Sequence, residues 1–492
     1  MKGASSLTPV FVFYPVLTSL RSNRFLPLAT IAVAFGGALL WANRLGAPFL
    51  VSSGLPATPV PVVVARPAYD PAAVQKTLEF YAAQTRYDAG NATFKALLAA
   101  QYLESYRETG DSADATRAEQ AARASLAIRT HANSAAYFQL SRALLTQHRF
   151  PEALTIARRA AALDPVGLRE CADIEIEVGD YSSAQRDITA SRKEVAASAH
   201  AIALARGNAI PATADDDPAF LALVSRLNEL RGDSKGQLAL LARAVKLADA
   251  NPDMPAQSVA WFHERLGRCL AMMGRLDEAE KTYLEGLSVF PRDYRTMAAL
   301  AHLSAARGDW KKTLEWGQKA ANIVPAPETL ALLGDAYQAL GETQKATVQF
   351  RLVEQIGALS KAQGVIYDRQ HALFYADHGR NLTEAVQLAR GELRVRHDIY
   401  TYDTLAWTLF KAGRLSEASA NAKRALAFGT RDASLYFHAG MIAAAQGQNS
   451  LAQTYLQRAL EINPFFHPTQ PAMARATLAR LGVSPTPAAD VQ

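Results

Sequence analysis

Cysteine is nearly missing from this chain: 492 residues hold two, Cys171 and Cys269. Two distant cysteines make no disulfide framework of the kind that staples small secreted domains. Each reads as a small buried apolar residue, and the fold must be held by packing. Catalytic signatures are missing too. No P-loop spacing, GxSxG elbow, HExxH or CxxC occurs. His263-Glu264 opens like the helix of a zinc protease, but Leu266 and Gly267 stand where that motif would continue. An excess of one charge is absent: 52 Lys and Arg face 46 Asp and Glu, for a mild net charge of +6. With no basic tract interleaved with aromatics, nucleic acid is disfavoured as a partner. Long apolar runs are absent with one exception, residues 25–41.

What is present is a beat of 34 residues. Leu266, Gly267, Leu270, Gly274, Ala279, Gly286 and Pro291 recur, 34 positions on, as Leu300, Ala301, Ser304, Gly308, Thr313, Ala320 and Pro325. The last clear copy holds Ala439, Gly440, Ala443, Gly447, Ala452, Leu456, Ala459 and Pro464. Each unit has two apolar-periodic segments joined at a glycine and closed by a proline. In the first, Leu266 and Leu270 stand four apart on one helical face. The glycine ends a helix cheaply in the left-handed conformation, and proline cannot continue one. Such a hairpin cannot bury its apolar stripe alone, so stacked neighbours must bury it for each other.

These positions resemble the tetratricopeptide repeat (TPR), in the form carried by membrane-anchored bacterial proteins. The resemblance is strongest over residues 260–293 and 433–466 and weaker upstream. It implies an all-α, right-handed α-solenoid of helix-turn-helix repeats, preceded here by one N-terminal transmembrane helix. It also implies a concave groove lined by the first helix of each pair. In the best-phased units the groove residues are Tyr400, Asp403, Trp407, Phe410 and Lys411, then Phe437, Met441 and Ala444. The middle units present Glu264, Arg268, Arg295, His302 and Asp335. An aromatic end and a polar middle suit a protein or peptide partner. A one-residue shift in register would instead turn Trp407 and Phe410 into packing between units. The lysine and asparagine positions of a carboxylate-clamp TPR are absent, since Glu264 and Arg268 occupy two of them.

Residues 25–41 carry no charge and reach the short end of a membrane span. Lys2, Arg21 and Arg24 precede them without an acidic residue, which puts the N-terminus in the cytoplasm and the repeats outside it, in the periplasm if the cell is Gram-negative. A cleaved signal peptide is the alternative, disfavoured by Arg44 and Pro48 around the cleavage position. The expected organisation is a cytoplasmic segment 1–24, a signal-anchor helix 25–44 and a Pro/Val-rich linker 45–69. Irregular N-terminal helices follow over 70–133, then degenerate units over 134–207, and a joint with a degenerate pair over 208–259. A regular array 260–466, a capping helix 467–482 and a disordered tail 483–492 complete the chain.

No metal or other cofactor is expected. His371 and His378, with Asp377, share a helix but lack convergent ligands, and Asp215 to Asp217 lack the spacing of a calcium loop. The chain is expected to be a non-enzymatic membrane-anchored scaffold or adaptor. The alternatives are an assembly factor for a secretion, pilus or outer-membrane complex, or the accessory domain of a separate enzyme.

Overall fold

The computed structural model describes residues 69–205, 216–362 and 369–482, without side chains over 195–205. The expected membrane span at 25–41 lies outside the described residues, as do the linker up to residue 68 and the tail. Among the described residues no helix is long and apolar enough to cross a membrane.

The described residues hold 22 α-helices and no strand. Helix α1 (Ala73–Tyr87) is followed by ten hairpins. The first four are α2 (Ala92–Thr109) with α3 (Ser112–Ile128), α4 (Ser134–Thr146) with α5 (Phe150–Leu163), α6 (Gly167–Val178) with α7 (Tyr181–Ala205), and α8 (Pro218–Leu230) with α9 (Ser234–Asp249). The next three are α10 (Ala256–Met272) with α11 (Leu276–Val289), α12 (Tyr294–Ala306) with α13 (Trp310–Ile323), and α14 (Pro327–Ala339) with α15 (Thr343–Ala362). The last three are α16 (Arg369–Asp377) with α17 (Leu382–Glu392), α18 (Ile399–Lys411) with α19 (Leu415–Ala425), and α20 (Ala433–Ala445) with α21 (Asn449–Ile462). Helix α22 (Gln470–Arg480) closes the stack, placing Ala474 and Leu478 against Phe437 and Ala459.

Local sequence explains the hairpins. Asp293, Asp398 and Asp432 accept hydrogen bonds from the first backbone N–H groups of α12, α18 and α20. The turns at Gly274, Gly308, Gly341, Gly413 and Gly447 hold φ between 71° and 79°, the left-handed conformation that glycine adopts without strain. Gly110, Gly179 and Gly232 do the same upstream. Residues 92–128, expected to be irregular, therefore form a regular hairpin, and only α1 stands outside the pattern. The α16–α17 turn holds two left-handed residues, Gly379 and Asn381. Small residues set the helix spacing. A Cβ at Gly267 would fall 2.5 Å from Cε1 of Tyr283, and one at Gly440 2.7 Å from Cδ2 of Leu456. Between hairpins the packing is apolar, as where Leu405, Leu409, Ala418, Ala422, Ala439 and Ile442 meet.

The stack coils back on itself. Turns in the first, third, fourth and fifth hairpins each meet the junction that follows the fifth hairpin further on. A Cβ at Gly110 would lie 2.7 Å from Cγ2 of Val324, one at Gly179 2.5 Å from the carbonyl carbon of His397, and one at Gly232 2.5 Å from the carbonyl oxygen of Gly429. Hydrogen bonds join the same places. The His397 N–H donates to the Val178 carbonyl (2.8 Å), and Nδ2 of Asn463 donates to the Ala271 carbonyl (3.0 Å). Nη1 of Arg295 donates to the Arg107 carbonyl (3.0 Å), and the Thr430 hydroxyl donates to that of Leu230. Successive superhelical turns are thus in contact.

Candidate functional site

Contact between the turns converts an open groove into an axial cavity of about 1060 Å³. Its lining runs from Tyr106 on α2 to Met473 on α22 and comes largely from the first helices of the hairpins. A buried ionic cluster forms part of the wall. Glu177 on α6 accepts from Nη2 of Arg226 (2.5 Å) and Nη2 of Arg396 (2.9 Å), and Nε of Arg396 donates to its carbonyl (2.8 Å). Arg396 also reaches Glu392, and Arg369 pairs with Glu392 and Asp398 at 3.1 and 3.0 Å. Arg396 is 1% exposed and Asp398 3% exposed, so these charges depend wholly on one another. Burial works against the Asp398 carboxylate, but Arg369, Arg396 and the Thr401 hydrogen bonds bring its pKa down to about 2.

The repeat spacing did not predict this cluster, because Arg226 lies 49 positions from Glu177 and Arg396 lies 219. One signal was readable: Glu170, Asp173, Glu175 and Glu177 occupy a helix that the repeat pattern would make apolar. All four are buried.

Beyond the ionic wall, Arg268 and Arg265 face Glu229 at 3.4 and 3.9 Å, and the Tyr400 hydroxyl donates to Glu229 at 3.4 Å. Burial opposes the charge on Glu229, yet Arg268, Arg265 and Arg226 outweigh it and hold its pKa low. Glu264 is buried, its Oε2 has no hydrogen-bond partner, and burial raises its pKa against the pull of Arg265 and Arg268. Further along, Asp335, Asp377, Asp403 and Asp432 line the cavity together with His378 and His438. Nε2 of His378 meets Oδ1 of Asp335 (2.9 Å), and Nδ1 of His438 meets Oδ2 of Asp403 (2.9 Å). Burial disfavours both imidazolium ions, but the paired carboxylates prevail and raise both pKa values.

Glu264, Arg268, Arg295, His302 and Asp335, expected to form a polar middle, all line the cavity. So do Tyr400, Asp403, Trp407 and Lys411. Phe437, expected in the groove, is instead fully buried, and Phe410 and Met441 pack against the same core cluster. Trp407 is no open anchor either. It is 2% exposed, its ring stacks on those of Phe410 and His438, and its Nε1 donates to Oδ1 of Asp377 at 2.8 Å. The physical reason is register: α18 turns its aromatic face into the contact with α20, leaving one edge of the indole at the cavity. Trp407→Ala is therefore expected to destabilise the stack.

His371 faces the Val353 carbonyl (2.9 Å) rather than a common site with His378. Asp217 caps α8 and pairs with Arg169, and Asp216 pairs with Arg243. Among the described residues no three His, Cys, Asp or Glu side chains are placed to hold a metal ion.

A coiled stack of helical hairpins around a cavity lined by charged, aromatic and aliphatic side chains defines the class: an α-solenoid repeat protein. Residues 433–466, the α20–α21 hairpin with its flanks, match the family described as tetratricopeptide repeat. With the same hairpin recurring before it at the same glycine turns, the chain is a tetratricopeptide-repeat protein. No curated relative matches it. Solved structures similar to it include the APC/C hetero-tetramer Cut9-Hcn1, at 14% identity over 83% of this chain and 94% of that one, with a TM-score of 0.31. BtubC from P. vanneervenii matches at 18% identity over 44% and 90%, with a TM-score of 0.34. A tetratricopeptide repeat protein from Parabacteroides merdae matches at 20% over 54% and 98%, with a TM-score of 0.31.

Proposed function

We propose that the chain is a non-catalytic scaffold that holds an extended peptide segment of a partner protein in its axial cavity. The observation that carries this reading is the cavity itself, about 1060 Å³ with paired charges and aromatic edges along its lining. Such a surface offers hydrogen bonds and ion pairs to a backbone and its side chains over several residues. A photocrosslinking amino acid placed at Ala298, on the lining, is expected to trap a discrete adduct in cells. The same group at exposed Lys281 is expected to trap none. Identical adducts from both sites, or none from Ala298, would overturn the reading.

The apolar run 25–41, with Lys2, Arg21 and Arg24 before it, supports anchoring to a membrane with the repeats on the far side from the cytoplasm. A phosphatase reporter fused after Leu55 is expected to be active outside the cytoplasm. A reporter active only inside would reverse the topology.

A further inference from the structure

We infer that the aspartate-lined end of the cavity is a subsite for a lysine or arginine side chain of the bound peptide; this rests on the peptide-binding reading above. Asp335 and Asp377, then Asp403 and Asp432, come one from each of four successive hairpins and line the same cavity. Two of the four already have cationic partners, since His378 meets Asp335 and His438 meets Asp403. The other two do not. Asp377 accepts from the neutral indole N–H of Trp407, and Asp432 accepts from the backbone N–H of Ser434. Among the described residues neither forms an ion pair. Lys411 lies 5.3 Å over the Trp407 ring and pairs with no described carboxylate.

A second observation points to a ligand with donors to give. Gln470 lines the same cavity, is 5% exposed, and its Oε1 is buried with no hydrogen-bond partner. An orphaned buried acceptor costs about 1–3 kcal/mol, so a site that contains one is built for something that supplies the donor. Ammonium and guanidinium groups carry only donors. They fit both the unpaired carboxylates and the orphaned amide oxygen. Asp432 adds to the demand. Its carboxyl is pushed up first by burial, and its like-charged neighbours Asp403 and Glu229 add to that against the downward pull of the Ser434 N–H and Arg268. A cation arriving beside it relieves that repulsion. A bare metal ion does not fit, because no three ligands converge among the described residues. An elongated cationic side chain, which reaches its partners one at a time along a wall, does.

The test is selection of random decapeptides displayed on phage against the full chain, followed by affinity measurement on the winners by fluorescence anisotropy. The expected result is enrichment of Lys or Arg at one position. Affinity should then fall about tenfold or more both when that residue is changed to Gln and in an Asp377→Asn/Asp432→Asn variant. The asparagines keep an acceptor for Trp407 and a cap for α20, and a thermal melt checks that the variant folds. The Lys→Gln peptide needs no protein variant and keeps the question decidable if the variant melts early. Peptides that bind without a Lys or Arg preference, or whose affinity is unchanged by the Gln substitution, overturn the subsite and leave peptide binding standing. Failure to select any peptide overturns both.

Discussion

Two kinds of unit make up this stack, and they are stable for different reasons. The regular units, such as α10–α11 and α20–α21, are held mainly by apolar packing: small residues let helices approach, and leucines and alanines fill the seam. The irregular units, α6–α7 and α16–α17 with the junction after it, carry charges where the repeat pattern is apolar. Those charges are buried against each other, and the Arg396–Glu177 pair crosses superhelical turns. A departure from the repeat pattern here marks a contact with a distant turn rather than decay of the repeat. It also makes the irregular units one of the places where the turns meet.

The comparison can be broken most severely at Arg396. Arg396→Ala leaves Glu177, Glu392 and Asp398 buried with too few partners, and the loss should be on the order of 3–5 kcal/mol in urea denaturation. Gly440→Ala tests a regular unit. The new Cβ collides with Leu456 within one hairpin, so the expected cost is smaller, about 1–3 kcal/mol, and confined to the C-terminal units. Acid should attack the irregular units next. The Asp398 pKa is depressed to about 2. Its contribution, on the order of 2 kcal/mol, is therefore complete above the unfolded value near 4 and is lost as pH falls toward 2. Asp398→Asn should flatten that part of the stability–pH curve. Smallest is Arg307→Ala on the outer surface, where pairs with Asp277 and Glu280 are solvent-exposed; below about 1 kcal/mol is expected from the same denaturation curves.

Much of this was legible in the sequence, and the reason is locality. Helix pairing and the glycine turns depend on residues within one 34-residue unit, so spacing alone reveals them. The polar lining at Glu264, Arg268, Arg295, His302 and Asp335 follows from the same phase. What spacing could not give was curvature. The meeting of Gly179 with His397 and of Glu177 with Arg396 accumulates from small rotations over many hairpins, and no local pattern encodes it. The fate of Trp407, Phe410 and Phe437 was hidden for a related reason: groove and core positions on α18 and α20 differ by one residue of register, and large aromatics suit both.

The contact between turns is the feature on which the axial cavity depends, and a distance across it tests it most directly. Cysteines placed at exposed Arg231 and Arg431, beside the meeting of Gly232 with Gly429, can be spin-labelled without interference. Native Cys171 and Cys269 are buried, and burial pushes both thiols up to about 12. Double electron–electron resonance should then return a single narrow population at contact range, widened by Arg396→Ala. A long or broad distribution in the otherwise unaltered chain would mean that the turns do not touch and that the groove is open.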